Sequence, residues 1–85
     1  MEVIEGKKYR HFKGNIYEVL CLATDCENLS KLVVYKALYG ENKIWVRSYD
    51  DFISKVDKIK YPDVLQEYRF EMVLDDWKSW GYNFI

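Results

Sequence analysis

Eighty-five residues make room for one domain, which buries only ~60–65% of the surface its unfolded chain exposes, so a shallow surface site fits this length better than a deep enzymatic cavity. Hydrophobic residues at 49% and charged residues at 32% exclude a disordered chain, and aromatics at 18% favour a small, ring-rich core or a binding surface. The formal net charge of −1 weighs against a dedicated duplex-binding domain, whose phosphate contacts call for a basic excess.

The first ten residues lack the apolar core of a signal peptide, and no apolar run approaches the ~20 residues of a membrane span. Two cysteines, Cys21 and Cys26, are too few for a disulfide framework, so a reducing, cytoplasmic setting is expected.

Residues 7–13 read as a first strand and 16–24 as its partner, joined by a two-residue turn at Gly14-Asn15 in which glycine supplies the positive φ. Residues 25–31 form a polar loop. Residues 32–39, rich in side chains that suit a pleated surface, make a third strand. Gly40-Glu41-Asn42 turns the chain into a fourth strand at 43–47. The period then changes. Ser48 caps a short helix, with Asp51 in the capping-box position, and Phe52 and Val56 share one face a turn apart. A charged connection at 57–63 holds Tyr61 and Pro62, and residues 66–73 alternate as a fifth strand with Tyr68, Phe70 and Met72 on one side. The last twelve residues, 74–85, carry Trp77, Trp80, Tyr82 and Phe84, too much apolar surface to leave in water. They are expected to pack back on the domain, with pairing of two chains into a homodimer as the other outlet.

This pattern predicts a mostly β fold: a small SH3-like antiparallel β-barrel of about five strands with one short helix, over residues 6–73, and an aromatic C-terminal extension. Closing a sheet removes exposed edges. An OB-type barrel is the competitor, but the helix it places between its third and fourth strands is missing.

The order of uncommon residues also carries a resemblance. Gly6, Tyr9-Arg10-His11-Phe12-Lys13-Gly14-Asn15 and Tyr17-Glu18-Val19-Leu20 are followed by Val33-Val34-Tyr35, Leu38-Tyr39-Gly40 and Trp45-Val46-Arg47. Then come Phe52, Val56 and Arg69-Phe70. In this order and spacing the chain resembles a bacterial family, domain of unknown function 1653, from about Gly6 to Val73. Ser48 and Tyr68 stand where the family usually has proline, the connection 58–67 is longer, and the tail is extra. The resemblance implies a compact, mostly β domain and no particular activity.

His11, the one histidine, invites an acid–base or metal role. A catalytic zinc needs three protein ligands, and Cys21 and Cys26 are five apart across a strand end, so neither a metal nor a cofactor is expected. Cys21 sits in apolar company and is expected inside the barrel and unreactive, whereas Cys26 lies in the polar loop between Asp25 and Glu27. The acidic pairs Asp50-Asp51 and Asp75-Asp76 suit first turns of short helices better than a hydrolase pair, and no catalytic residue is assigned.

Trp45 and Arg47 share one face of the fourth strand, leaving Ile44 and Val46 as its core-facing residues. With Tyr9 and His11 on the first strand and Tyr35 and Tyr39 on the third, they would form an aromatic and guanidinium surface. SH3-like barrels grip proline-rich segments or cationic side chains with such clusters. The competing reading puts Trp45 and Tyr35 in the core and pairs Arg47 with Glu18 or Asp50. A different class of function would gather Arg10, His11 and Arg47 around an anion, for binding or catalysis, and requires all three in one pocket. A lesser reading stacks single-stranded nucleic acid on Tyr9, Phe12 or Trp45. The leading reading is a non-enzymatic protein- or peptide-binding module using Tyr9, Arg10, His11, Tyr35, Tyr39, Trp45 and Arg47.

Overall fold

The described residues form five strands and one helical turn: β1 (Lys8–His11), β2 (Ile16–Thr24), β3 (Lys31–Ala37), β4 (Ile44–Ser48), α1 (Tyr49–Phe52) and β5 (Phe70–Met72). These belong to a computed structural model that describes residues 2–74. The expectations for the aromatic tail at 75–85 fall outside the described residues. All five strands lie in one antiparallel sheet of order β4-β3-β2-β1-β5. The first four follow as a meander, and β5 returns to pair with β1 at the far edge. Strands β4 and β5 are therefore the two edges, and the ladder stays open where a closed barrel was expected. Among the described residues no helix is long and apolar enough to cross a membrane.

The β1–β2 connection is one residue longer than expected. The His11 carbonyl accepts from the Gly14 N–H at 2.7 Å, and the His11 N–H donates to the Asn15 carbonyl at 2.9 Å. Asn15 is thus already paired, and the loop is Phe12-Lys13-Gly14 with Gly14 at φ +111°. A three-residue loop closing on a positive-φ glycine matches the twist of the flanking strands.

One bulge decides which side chains of β2 face inward. The register runs Val19 opposite Tyr35 and then Cys21 opposite Val34, so Leu20 is the extra residue. Tyr17 and Val19 point to the inner face, and past the bulge Leu22 takes their place opposite Val33. Strict alternation from Val19 would have sent Cys21 inside; the bulge turns it to the outer face, where it is exposed like Cys26.

Helix α1 lies where the sequence places it. Ser48 is the N-cap, its hydroxyl accepting from the Asp51 N–H at 3.2 Å, with Asp50 and Asp51 in the first turn. The turn presses Phe52 onto the inner face, where it stacks on Phe70 at 4.0 Å and 2° and meets Tyr9 and Tyr35 edge to face, each at 5.5 Å. Tyr9 is 1% exposed; its hydroxyl accepts from the Ile4 N–H at 2.9 Å, so the N-terminal segment covers it. With Val3, Val19 and Val33 these rings form the core, each fully buried side chain contributing about 1.5–3 kcal/mol.

The fifth strand is shorter than its alternating pattern because the segment changes partner midway. The Val56 N–H donates to the Glu67 carbonyl and the Arg69 N–H to the Ser54 carbonyl, both at 2.8 Å, and Lys55 bridges Tyr68. The ladder to β1 then runs over Phe70–Met72, with the Val73 N–H donating to the Lys8 carbonyl at its end. Such a switch turns a corner in the chain.

Candidate binding site at the open end of the inner face

Directly opposed residues of a ladder share a face, so the register sorts the candidates. Tyr35 lies opposite Trp45 and Val33 opposite Arg47, which places Trp45 and Arg47 on the inner face with the buried residues of β3. Ile44 and Val46, expected in the core, take the outer face and are 61% and 58% exposed. The assignment reverses because β3, buried on its odd-numbered side, fixes the parity of β4.

Trp45 is nonetheless 47% exposed and Tyr39 44%. Strand β4 is an edge, and Phe52 of α1 covers the opposite end of the inner face. Two concavities flank the uncovered rings. One of about 250 Å³ is lined by Ala37, Tyr39, Glu41, Lys43 and Trp45. The other, of about 190 Å³, is lined by Tyr17, Tyr35, Tyr39, Trp45 and Arg47. Tyr39 and Trp45 belong to both, so the two form one shallow groove.

Its floor is held by ring packing. Tyr17 meets Tyr35 edge to face at 5.4 Å and Tyr39 at 5.6 Å, and the Tyr17 and Tyr39 hydroxyls share a hydrogen bond of 2.7 Å. Burial and that bond push the Tyr17 phenol up to about 12, so it stays protonated across the physiological range. Tyr17 was not among the sequence candidates. Its signal was its parity with Val19 on an alternating strand, which sets it among the tyrosines of β3.

Arg47 closes the groove. Its Nε donates to the Tyr35 hydroxyl at 3.2 Å, its Nη1 pairs with Asp51 Oδ2, and its Cζ stands 5.7 Å from the Phe70 ring centroid. The partner is Asp51 rather than Glu18 or Asp50, because the capped turn after Ser48 carries Asp51 back beneath the strand. Burial works against the Arg47 charge, but the bonds to Tyr35 and Asp51 outweigh it and hold the guanidinium above its ordinary pKa. Asp51 also reaches Arg69 Nη2 at 3.7 Å.

The remaining candidates separate. Tyr9 is core. Arg10 lies opposite Glu71 on the outer face and is exposed. His11 is on the inner face opposite Phe70, meeting that ring at 4.9 Å and stacking on Phe12 at 4.5 Å. Its Nδ1 accepts from the Lys13 N–H at 3.1 Å. Burial and the charges of Arg47, Arg69 and Lys13 depress His11 to about 4, so the ring is neutral at pH 7 and Nε2 carries its proton. His11 and Arg47 line a common pocket of about 310 Å³ that Arg10 does not reach; Lys13, Lys60 and Arg69 do. In sequence Lys13 belongs to a basic run with Lys7, Lys8 and Arg10, and Lys60 to one with Lys55 and Lys58, which read as solvated faces; with Arg69 they meet here because separate segments converge. Among the described residues no group of three or more His, Cys, Asp or Glu is placed to hold a metal.

The model of a protein family described as "Protein of unknown function (DUF1653)" matches residues 7–72. A crystal structure of a DUF1653 protein from Bordetella bronchiseptica is similar at a TM-score of 0.67 and 29% identity, over 82% of this chain and 87% of that one. No curated protein matches. The matched span runs from just before β1 to the end of β5, taking in every residue of the groove and the pocket: the chain belongs to the DUF1653 family.

Proposed function

We propose that this domain is a non-enzymatic interaction module that holds a short, extended peptide segment across Tyr39 and Trp45. The observation that supports it most is the exposure of these two rings at the open end of an otherwise buried aromatic face. Aromatic grooves of this kind suit extended, proline-rich segments, which offer flat apolar rings and free carbonyls and lose little entropy on binding. Tyrosine hydroxyls on the groove floor supply hydrogen-bond donors for those carbonyls. Edge-to-face packing of Tyr17 against Tyr35 and Tyr39 fixes the rings before a ligand arrives, which lowers the ordering cost of association. An SH3-like barrel is the finer description of the fold that accompanies this reading; the bulge in β2 and the partner switch before β5 both favour curvature.

Two other readings lose members. Tyr9 is buried and offers no stacking platform for single-stranded nucleic acid, and Arg10 is on the wrong face for a polar cluster with His11 and Arg47.

Selection of short random peptides on the folded protein, followed by calorimetry on those enriched, tests the proposal. Trp45→Ala is expected to weaken the selected peptides by about 2 kcal/mol or more, the size of a central aromatic contact. Peptides that bind Trp45→Ala and Tyr39→Ala as well as they bind the unaltered protein would overturn it.

A further inference from the structure

On the other side of Arg47 from the groove lies a pocket lined by His11, Lys13, Arg47, Lys60 and Arg69, whose chemistry is cationic rather than aromatic. We propose that this pocket is a binding site for a phosphate-type oxyanion, taking inorganic phosphate or a phosphate monoester.

Four cationic side chains line one concavity in a chain whose net charge is −1. They arrive from four places: Lys13 from the β1–β2 loop, Arg47 from β4, Lys60 from the turn after Val56, and Arg69 from the residue before β5. Convergence from such separate segments is not the run of like charge that a solvated strand or loop shows.

The carboxylates nearby leave the cationic charge in excess. Asp51 serves Arg47 and Arg69 together, and the Arg69 Nε is held by the Ser54 hydroxyl at 3.1 Å. Asp57 lines the pocket, but its Oδ1 accepts from the Ile59 and Lys60 N–H groups at 3.0 and 3.2 Å. Among the described residues neither Lys13 nor Lys60 makes an ion pair. Their ammonium groups stand 5.9 and 5.5 Å from the Tyr61 ring centroid, which holds both lysines at one wall. Four cations against two carboxylates leave an excess of two positive charges, the complement of a phosphate dianion. The guanidiniums keep N–H groups beyond those engaged by Asp51, Tyr35 and Ser54, and these forked donors match the spacing of phosphate oxygens.

His11 reports the same field. A neutral imidazole with its proton on Nε2 offers a further donor, while the cations around it resist a second proton. An anion in the pocket would offset that repulsion, so ligand binding and protonation of His11 are linked and each favours the other. Phe12 and Tyr61, in ring contact at 4.9 Å, add an apolar wall beside the charges. That wall, and a volume of about 310 Å³, leave space for an organic group attached to the phosphate.

Amide and imidazole NMR of the full chain, titrated at constant ionic strength, tests the site without any peptide present. Inorganic phosphate should give saturable shifts at His11, Lys13, Lys60 and Arg69 and raise the His11 pKa, whereas chloride should do neither. A parallel titration with phenyl phosphate separates the sources: tighter binding than inorganic phosphate assigns the pocket to monoesters, and equal binding assigns it to the free ion. Lys60→Ala and Lys13→Ala remove exposed side chains that the fold does not need, and each should weaken binding about tenfold, the worth of one charge-assisted hydrogen bond. Lys55→Ala, which removes an ammonium paired with Glu67 beside the Tyr68 ring and outside the pocket lining, should leave affinity unchanged. Unsaturable shifts, an unmoved His11 pKa, or equal losses in all three variants would overturn the proposal.

Discussion

The two ends of the inner face are built from the same material and meet different fates. At the covered end, Tyr9 and Phe70 both pack against Phe52 of α1, and none of the three is exposed beyond a trace. At the open end Tyr17 makes the same edge-to-face contacts with Tyr35 and Tyr39, and Trp45 lies opposite Tyr35 in the ladder, yet Tyr39 and Trp45 stand half in water. The difference lies in what crosses above them. The chain leaves β4 at Ser48, turns once, and drops Phe52 over the β1 side; none of the described residues returns over the tip of the β3–β4 hairpin. An aromatic ring on this sheet is core or surface according to the path of a connection, not its own chemistry.

Removing the central ring of the covered end tests that contrast most forcefully. Phe52→Ala deletes a side chain with no exposure from between Phe70, Tyr9 and Tyr35, and should cost about 3–5 kcal/mol. For a domain this small, that is most of the stability available. Urea denaturation followed by near-UV circular dichroism checks it; a loss below about 1 kcal/mol, the scale of a partly exposed site, would mean the two ends are energetically alike.

A smaller effect is expected where the ends join. Asp51 holds Arg47, which lines both the groove and the pocket, and Arg69, which lines the pocket alone. Asp51→Asn keeps the backbone N–H that the Ser48 cap needs but releases both guanidiniums. These side chains are partly exposed, so the loss should fall between a surface and a buried pair, about 1–2 kcal/mol. The same substitution makes the pocket more positive, so phosphate should bind more tightly to a less stable protein. A stability loss without an affinity gain would separate Asp51 from the field of the pocket.

His11 gives the contrast a pH signature. Its folded-state value of about 4 lies below the ordinary 6.5, so the folded protein binds fewer protons than the unfolded chain between those limits. Its share of stability is complete above about 6.5 and is lost as the pH falls toward 4. The His11→Gln variant should therefore show a shallower fall in denaturation midpoint between pH 7 and 4.5 than the parent. Parallel curves would mean that burial and the neighbouring cations do not act on this ring.

The order of elements was legible because local chemistry sets it. The run from Ile16 to Thr24, the turn at Gly40, the Ser48 cap and the contact pattern of Phe52 all depend on residues within a turn or a strand of one another. Inward and outward assignments past Leu20 were not, since one bulged residue reverses every later position on β2 and leaves no mark in composition. Trp45 and Arg47 were correctly paired on one face, but which face depended on the register with β3, a long-range fact. The pocket was half visible: His11 and Arg47 stood out, while Lys13, Lys60 and Arg69 meet them only once the chain has folded.

Trp45→Ala is the most delicate test of the open end. A ring already 47% exposed gives up only part of its burial when removed, and its neighbours Tyr35 and Tyr39 keep their contacts with Tyr17. The stability loss should stay near about 1 kcal/mol, against the 3–5 of a fully buried ring. A thermal melt that moves by only a few degrees would fit, since about 1 kcal/mol shifts a domain of this size by ~4–8 °C. A loss comparable to that of Phe52→Ala would make Trp45 a core residue despite its exposure. The groove would then be a consequence of packing, and the argument for a peptide site would fall with it. A small loss leaves about half of a tryptophan face held in water by a rigid tyrosine floor, which nothing in the stability of the domain requires and a ligand would explain.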